Sequence, residues 1–289
     1  TIIQHRLGKI SVTGKKYGET FSINGVQFSF HPAGHVPGSA QIRVEYKGEI
    51  WVFTGDYKTQ IDGISTPFEP VKCNTFITEC TFGLPVYKWK PQKEIFNEMN
   101  DWWRTNQSNG ISTIVTAYSL GKAQRLLQNL DPSIGKIYTH GAVENTNEVM
   151  REAGIHLNET IRITKETTKK ELVGNMIIAP PSALNTPWMN KFKPLSDGIA
   201  SGWMMLRGTR RRRAADRGFA LSDHADWPGL LSAIKATGAE NVITTHGYTN
   251  VFSRYLNEIG INSVEEKTLF TGESIDEADD EKVKEEEAI

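Results

Sequence analysis

The stretch STIVTAYSLGKAQRLLQNL, residues 112–130, decides the fold class of this 289-residue chain. A short apolar run is followed by a glycine-containing turn and then by apolar residues at helical spacing. The same order recurs in GKIYTHGAVENTNEVMREAG (135–154) and in FALSDHADWPGLLSAIKATG (219–238). Strands that alternate with helices predict an α/β fold with a parallel sheet, in which ligands bind at the carboxyl ends of the strands.

The first 80 residues have a different pattern of apolar and polar residues. Apolar and polar residues alternate in several runs, which predicts strands with few helices between them. These runs are KISVT (9–13), TFSINGVQFSF (20–30), QIRVEYKG (41–48), EIWVFTGDY (49–57) and NTFITEC (74–80). The helical pattern begins only at residues 90–110, where Trp102 and Trp103 are expected to lie in the core.

The composition describes an ordinary globular chain, with 38% hydrophobic and 23% charged residues. No segment approaches the roughly 20 apolar residues that span a bilayer, and no signal-peptide pattern is seen. The two cysteines are too few for a disulfide scaffold, which favours a cytoplasmic location. The net charge is −1, but residues 273–289 carry nine acids and two lysines, which leaves +6 on the rest. We expect this tail to be acidic and disordered.

Imidazoles and carboxylates follow the predicted strands at several places. They are His35, Asp56, Glu79, His224 and His246. Nitrogen and carboxylate ligands held at strand ends suit zinc or manganese, and two such ions can clamp a phosphodiester. Each residue taken singly also has a structural interpretation. For example, Ser222 or Asp223 could cap the helix that follows His224. Only their joint occurrence favours a metal site.

Two segments could bind phosphates. The turn from Tyr118 to Lys122 could present backbone amides and an ammonium group, whereas the arginine run 210–213 could equally be a solvated surface. His140 follows a strand like the histidines above, but a structural or substrate-side role is favoured for it.

Seven segments taken in order resemble the metallo-β-lactamase-fold nucleases with an inserted β-CASP domain, in particular the bacterial ligase-associated DNA exonucleases. These segments are HPAGHVPGSAQ (31–41), VFTGDYK (52–58), ITECTFGLP (77–85), AYSLGKAQRLL (117–127), SGWMMLRG (201–208), LSDHADW (221–227) and THGYT (245–249). The resemblance implies a metallo-β-lactamase αββα sandwich entered by both ends of the chain. The predicted domains are residues 1–82 and 206–272 for the sandwich, 83–205 for the parallel-sheet β-CASP insertion, and 273–289 for the tail.

The resemblance also implies roles for the strand-end residues. His35 and His246 would be metal ligands, and Asp56 would bridge two zinc or manganese ions. Glu79 would support His224, which would donate a proton to the leaving oxygen. Flanking phosphates would be bound by Ser119, Lys122, Arg207, Arg210 and Arg211.

The chain departs from the family in one respect, since the H-x-H-x-D-H signature that supplies four ligands is not found. We therefore expect an N-terminally truncated sandwich with no metal or partial occupancy, and an inactive chain. The alternative is a degenerate, metal-free homologue that binds nucleic acid without cleaving it.

The resemblance implies that the intact protein is a metal-dependent DNA exonuclease in DNA repair. Its partners would be DNA and, by family inference, an ATP-dependent DNA ligase and a helicase. An RNA-processing nuclease with the same site is the main alternative, and a small-ester hydrolase is a further one.

Overall fold

The computed structural model describes residues 2–184, 186–213 and 215–266, so the predicted acidic tail lies outside the described residues. The chain forms two compact units. The split unit consists of Val12–Trp89 and the segment that begins at Asp223. The inserted unit consists of Lys90–Ser222 and the N-terminal segment that ends at Ser11.

The described residues contain thirteen strands and nine α-helices. The strands are β1 (Phe21–Ile23), β2 (Val26–Pro32), β3 (Ala40–Tyr46), β4 (Glu49–Phe53), β5 (Thr75–Cys80), β6 (Ser112–Thr116), β7 (Ile137–Thr139), β8 (Ile161–Arg162), β9 (Met176–Ala179), β10 (Leu195–Ala200), β11 (Arg217–Phe219), β12 (Asn241–Gly247) and β13 (Asn262–Glu265). The helices are α1 (Ile2–Leu7), α2 (Gln92–Ser108), α3 (Lys122–Asn129), α4 (Gly141–Glu152), α5 (Lys169–Leu172), α6 (Pro187–Asn190), α7 (Arg207–Arg213), α8 (Trp227–Thr237) and α9 (Thr249–Glu258). Two short 3-10 helices lie at Pro181–Ala183 and Gly202–Met205.

The boundaries of the compact units differ from those expected at residues 83 and 205. The chain leaves the split unit after Trp89 and returns to it at Asp223. The late return follows from β11, which pairs in parallel with β10 and so extends the sheet of the inserted unit. The domain assignment from the sequence stays a prediction.

The split unit contains a seven-stranded mixed sheet with the order β1-β2-β3-β4-β5-β12-β13. Strands β1 to β4 pair antiparallel, whereas β4, β5, β12 and β13 pair parallel. Strands β2, β4, β5 and β12 therefore run in the same direction. Their carboxyl ends meet at one edge of the sheet, and the predicted site residues lie at that edge.

One face of this sheet is buried by α8 and α9. Val52 and Phe76 on the sheet form a core with Leu230 from α8 and with Phe252 and Leu256 from α9. Helix α8 begins at the N-cap Asp226, whose side chain accepts a hydrogen bond from the backbone N–H of Gly229. The suggested caps Ser222 and Asp223 are therefore wrong, because the helix starts later.

The opposite face also carries apolar side chains, aligned across the strands. Phe28 pairs with Val44 and Val44 with Trp51, while Ile42 pairs with Phe53. Trp51 and Phe53 each remain 42% exposed. The described part of the split unit contains this one sheet. The α/β class is confirmed, and the αββα sandwich stays a prediction.

The inserted unit is built on a six-stranded, fully parallel sheet with the order β11-β10-β6-β9-β7-β8. Every residue of β6, β7 and β9 is buried, as expected for central strands covered on both faces. Trp102 and Trp103 of α2 are buried in the core of this unit, which confirms their predicted placement. Within the described ranges, no helix combines the length and apolar character needed to cross a membrane.

Candidate active site

His35 is placed by a glycine that the backbone requires. Gly34 follows β2 and has a φ of +74°, a conformation that glycine adopts without strain. A Cβ atom at residue 34 would also lie 2.3 Å from the carbonyl oxygen of Lys58. This close approach explains why a glycine precedes the histidine in this turn. It also fixes the backbone position from which the imidazole of His35 extends.

Asp56 is placed in the same way after β4. The preceding residue, Gly55, has a φ of +55°, so the chain turns sharply as the strand ends. Oδ2 of Asp56 lies 3.9 Å from Nε2 of His35. The carboxylate and the imidazole therefore face each other at the edge of the sheet.

Glu79 lies near the end of β5 and is only 2% exposed. Its carboxylate accepts hydrogen bonds from the backbone N–H groups of Thr81 at 2.9 Å and Tyr57 at 3.3 Å. Oε1 also lies 2.8 Å from Nδ1 of His224. Burial tends to raise the pKa of Glu79, but the charge and hydrogen bond of His224, with the hydrogen bonds from Thr81, outweigh it and lower the pKa to about 2.

These contacts define the tautomers of both histidines. The Glu79 carboxylate is ionised and can only accept, so the proton on His224 lies on Nδ1. Nδ1 of His35 lies 2.8 Å from the carbonyl oxygen of Asp223, which also can only accept. Nε2 of His35 therefore faces Asp56 and is the atom of this imidazole that can bind a ligand. Burial, reinforced by the nearby His224, lowers the pKa of His35 and favours its neutral, ligating form.

His35, Asp56 and His224 form one group whose ligand atoms all lie within 4.8 Å of one another. The two imidazole rings are 4.8 Å apart between centroids. Zinc ligands about 2.1 Å from one ion lie at most about 4.2 Å apart, so the group needs little closure to bind an ion. Two imidazoles and a carboxylate, with both Nδ1 atoms held by acceptors, are the donor set of a zinc-type site. These residues fit one ion.

His246, the other predicted ligand, is not part of this group. It lies in β12 with a φ of +55°, where the pairing with β5 shifts register between Thr245 and Gly247. Its carbonyl oxygen accepts a hydrogen bond from Sγ of Cys80 at 3.2 Å. Irregular backbone of this kind is concentrated at functional sites. The ligand role of His246 stays a prediction.

The predicted phosphate-binding residues all belong to the inserted unit. Ser119 is half-buried, while Lys122 is 4% exposed and holds its Nζ atom 4.6 Å from the centre of the Tyr118 ring. Arg207 and Arg211 of α7 are exposed. The side chain of Arg210 lies outside the described ones. Phosphate binding by this set stays a prediction, although exposed arginines suit it better than the buried Lys122 does.

His140 has a structural role. It is the N-cap of α4, and its Nδ1 atom accepts a hydrogen bond from the backbone N–H of Ala142 at 3.1 Å. Its ring packs edge-on against Trp188, with 5.0 Å between centroids. The structural alternative considered for this histidine is supported.

Sequence reasoning missed two contributors to the site. The carbonyl oxygen of Asp223 orients His35, and Trp89 bonds to the backbone of His224. A backbone carbonyl leaves no signal in the residue types. Trp89 belongs to a segment whose pattern showed no alternation and no helical spacing.

No protein-family model matches the chain. A probable DNA ligase of Opitutus terrae is 29% identical over 237 residues, which is 81% of this chain and 23% of that protein. Endoribonuclease YSH1 of Eremothecium gossypii is 32% identical over 117 residues, which is 40% of this chain and 15% of that protein. Cleavage and polyadenylation specificity factor 73 of Drosophila melanogaster is 30% identical over 117 residues, 40% of this chain and 17% of that protein.

These relatives are consistent with the resemblance of the chain to the metallo-β-lactamase-fold β-CASP nucleases. The chain spans less than a quarter of the length of the curated relatives described above. It is also similar in fold to a crystal structure of a protein of unknown function from Enterococcus faecalis V583, with a TM-score of 0.60 and 10% identity. That match covers 92% of this chain and 67% of the solved chain.

Proposed function

We propose that the protein is a metal-dependent phosphodiesterase that cleaves DNA, as an exonuclease in repair. The observation that carries the proposal is the group of His35, Asp56 and His224, in which Glu79 supports His224. The family that the chain resembles and the name of its DNA-ligase relative support a nucleic-acid substrate.

His35 and Asp56 would hold the ion. Both side chains project from glycine turns that permit few other backbone positions, so the ligand atoms need little reorganisation on binding. When bound, zinc or manganese would polarise a phosphoryl oxygen and lower the pKa of water to the neutral range. His246, in a second coordination set, would extend the site to the two ions expected of the intact protein.

His224 would donate a proton to the oxygen that leaves phosphorus. Its Nδ1–H is held by Glu79, so the proton that moves is the one on Nε2 of the imidazolium. The ionised Glu79 carboxylate stabilises that imidazolium and orients its ring. A positioned general acid typically contributes about 10²–10⁴-fold to the rate.

Arg207, Arg210, Arg211, Ser119 and Lys122 would bind flanking phosphates of the substrate. The partners of the intact protein would be an ATP-dependent DNA ligase and a helicase. The name of the ligase relative supports the first of these partners only. RNA processing is the second candidate function, because other relatives are named as endoribonucleases. Competition between DNA and RNA of one sequence would decide between the two.

The first experiment measures metal content and cleavage together. The missing signature predicted an inactive chain. Because the described residues supply one group of three possible ligands, we expect instead that the 289-residue chain binds no more than one zinc or manganese ion and cleaves slowly. His35→Gln and Asp56→Asn should lower the affinity for the ion. His31→Gln, which changes a histidine that bonds Ser29 instead, should not.

His224→Gln separates two uses of the same Nε2 atom. Unchanged metal content with a loss of cleavage supports the proton-donor role, whereas a loss of metal would make His224 a ligand instead. If neither cleavage nor metal binding depends on His35, Asp56 or His224, the proposed function is wrong.

A further inference from the structure

The segment that leaves β5 holds the turn at His224 by more than the Glu79 contact. Nε1 of Trp89 donates to the carbonyl oxygen of His224 at 3.0 Å. The backbone N–H of Trp89 donates to Oδ2 of Asp226 at 2.8 Å. Trp89 therefore binds the turn at both of its ends, through its side chain and its main chain.

The partners of Trp89 are themselves fixed. The other carboxylate oxygen of Asp226 accepts from the backbone N–H of Gly229 at 3.0 Å and so caps α8. The backbone N–H of Trp227 donates to the carbonyl oxygen of Tyr87 at 3.1 Å. Because the start of α8 is anchored in the core, Trp89 connects the His224 backbone to a rigid element.

The indole of Trp89 is held in place by Phe82. The two rings meet edge to face, with 4.8 Å between centroids and an interplanar angle of 81°. Phe82 is buried, makes a second edge contact with Tyr87 at 4.8 Å, and lies 6.0 Å from the His224 ring. This packing restricts rotation of the indole, so the N–H group is presented to His224 in one direction.

We propose that Trp89 is a positioning residue for His224. Glu79 fixes the rotation of the imidazole ring, and Trp89 fixes the peptide that carries it. Both the side-chain torsion and the backbone position of His224 are then restricted. This restriction matters because small displacements of a reacting group reduce rates strongly. The inference rests on the proposed function for its catalytic consequence, but not for the positioning itself.

The test compares Trp89→Phe with Trp51→Phe, a matched control on an exposed tryptophan of the same unit. Replacement of Trp89 by benzothienylalanine, which keeps the bicyclic shape and lacks the N–H group, removes the bond without disturbing the packing. The primary readout is NMR of the ¹⁵N-labelled imidazoles, which reports how fast the Nδ1–H of His224 exchanges with water.

We expect both Trp89 variants to speed this exchange about tenfold, a factor taken from the low end of the losses in metal affinity or activity that follow removal of an outer-shell partner. Trp51→Phe should leave it unchanged. In cleavage assays the Trp89 variants should lower kcat by a similar factor and leave KM unchanged. Exchange and kcat that match the Trp51→Phe control would overturn the proposal.

The proposed function and the positioning role of Trp89 are tested by different readouts, so a failure of one can be distinguished from a failure of the other. If the wild-type protein cleaves no nucleic acid, the proposed function fails, and the imidazole exchange rates still decide the role of Trp89. If the wild-type protein is active and the benzothienylalanine variant keeps both the exchange rate and kcat, the Trp89 proposal alone fails.

Discussion

Nδ1 of His224 lies 2.8 Å from Oε1 of Glu79, a carboxylate that is 2% exposed and 145 positions away in the sequence. The pair joins the end of β5 to the turn before α8. A buried carboxylate that accepts a charge-assisted hydrogen bond both orients the imidazole and stabilises its charged form. This relationship gives the first two predictions.

Glu79→Gln should lower kcat about 10–100-fold, because the amide neither stabilises the imidazolium nor selects the Nδ1–H tautomer as the carboxylate does. Metal affinity at His35 and Asp56 should change less than kcat. Steady-state cleavage kinetics and zinc titration measure the two effects. Glu45→Gln, which removes a partly exposed partner of Arg43, is the control and should leave both values unchanged. Equal losses in the two variants would contradict the role of Glu79.

The same pair should make the stability of the protein depend on acid pH. The pKa of Glu79 in the folded state is about 2, below its ordinary value of 4.5. A group with a lowered folded-state pKa stabilises the protein above its unfolded pKa, and this contribution is lost as pH falls. The free energy of unfolding of the wild-type protein should therefore fall more steeply between pH 4.5 and pH 2 than that of Glu79→Gln.

Urea unfolding at a series of pH values checks this prediction. The difference in the free energy of unfolding between the two proteins should be largest above pH 4.5 and should shrink as the acid limit is approached. Parallel pH profiles would show that the Glu79 pair contributes nothing to acid stability.

Gly34→Ala should destabilise the split unit and weaken metal binding. The substitution strains a backbone with a φ of +74° and places a methyl group 2.3 Å from the Lys58 carbonyl oxygen, so the turn that carries His35 must shift. The strain alone costs more than about 1 kcal/mol in the free energy of unfolding.

Gly38→Ala is the control for Gly34→Ala. Gly38 has a φ of +84° with open space around it, so the control shares the backbone strain without the collision. It should lose stability and keep its zinc affinity, as measured by titration. If Gly34→Ala binds zinc as tightly as Gly38→Ala, the turn does not set the position of His35.

Asp62→Asn should cost about 3–5 kcal/mol in the free energy of unfolding, because it removes the carboxylate from a buried ion pair with Lys58. Both side chains are almost fully buried and form an ion pair. Asp62 also accepts hydrogen bonds from the backbone N–H of Ser65 at 2.8 Å and of Ile64 at 3.0 Å. Thermal and chemical unfolding measure the loss.

The matched control is Glu19→Gln, which removes an exposed ion pair with Lys15 in the same unit and should leave Tm unchanged. Similar Tm values for Asp62→Asn and the wild-type protein would mean that the Lys58 ammonium reaches solvent or another acceptor once the carboxylate is gone.

The residue pattern alone predicts the α/β class, because alternation and helical spacing report how each segment meets a core. It also indicated His35, Asp56 and Glu79, since a glycine or a strand end beside a polar residue is a local feature. His224 was indicated by the same kind of local signal. Signals of this kind depend only on residues that are neighbours in the sequence, so they can be recognised without the folded structure.

Which of these residues meet depends on the folded chain. His224 lies in one group with His35 and Asp56, whereas His246 lies outside that group in β12, where the pairing with β5 shifts register. The N-cap of α8 is Asp226, and not Ser222 or Asp223 as suggested from the sequence. The Asp223 carbonyl and the Trp89 indole act through contacts between residues far apart in the chain, and such contacts have no signature in the local order of residues. Ligand geometry depends on the distances between side chains that follow different strands. These distances are fixed only when the strands pair, so the sequence of each strand does not contain them.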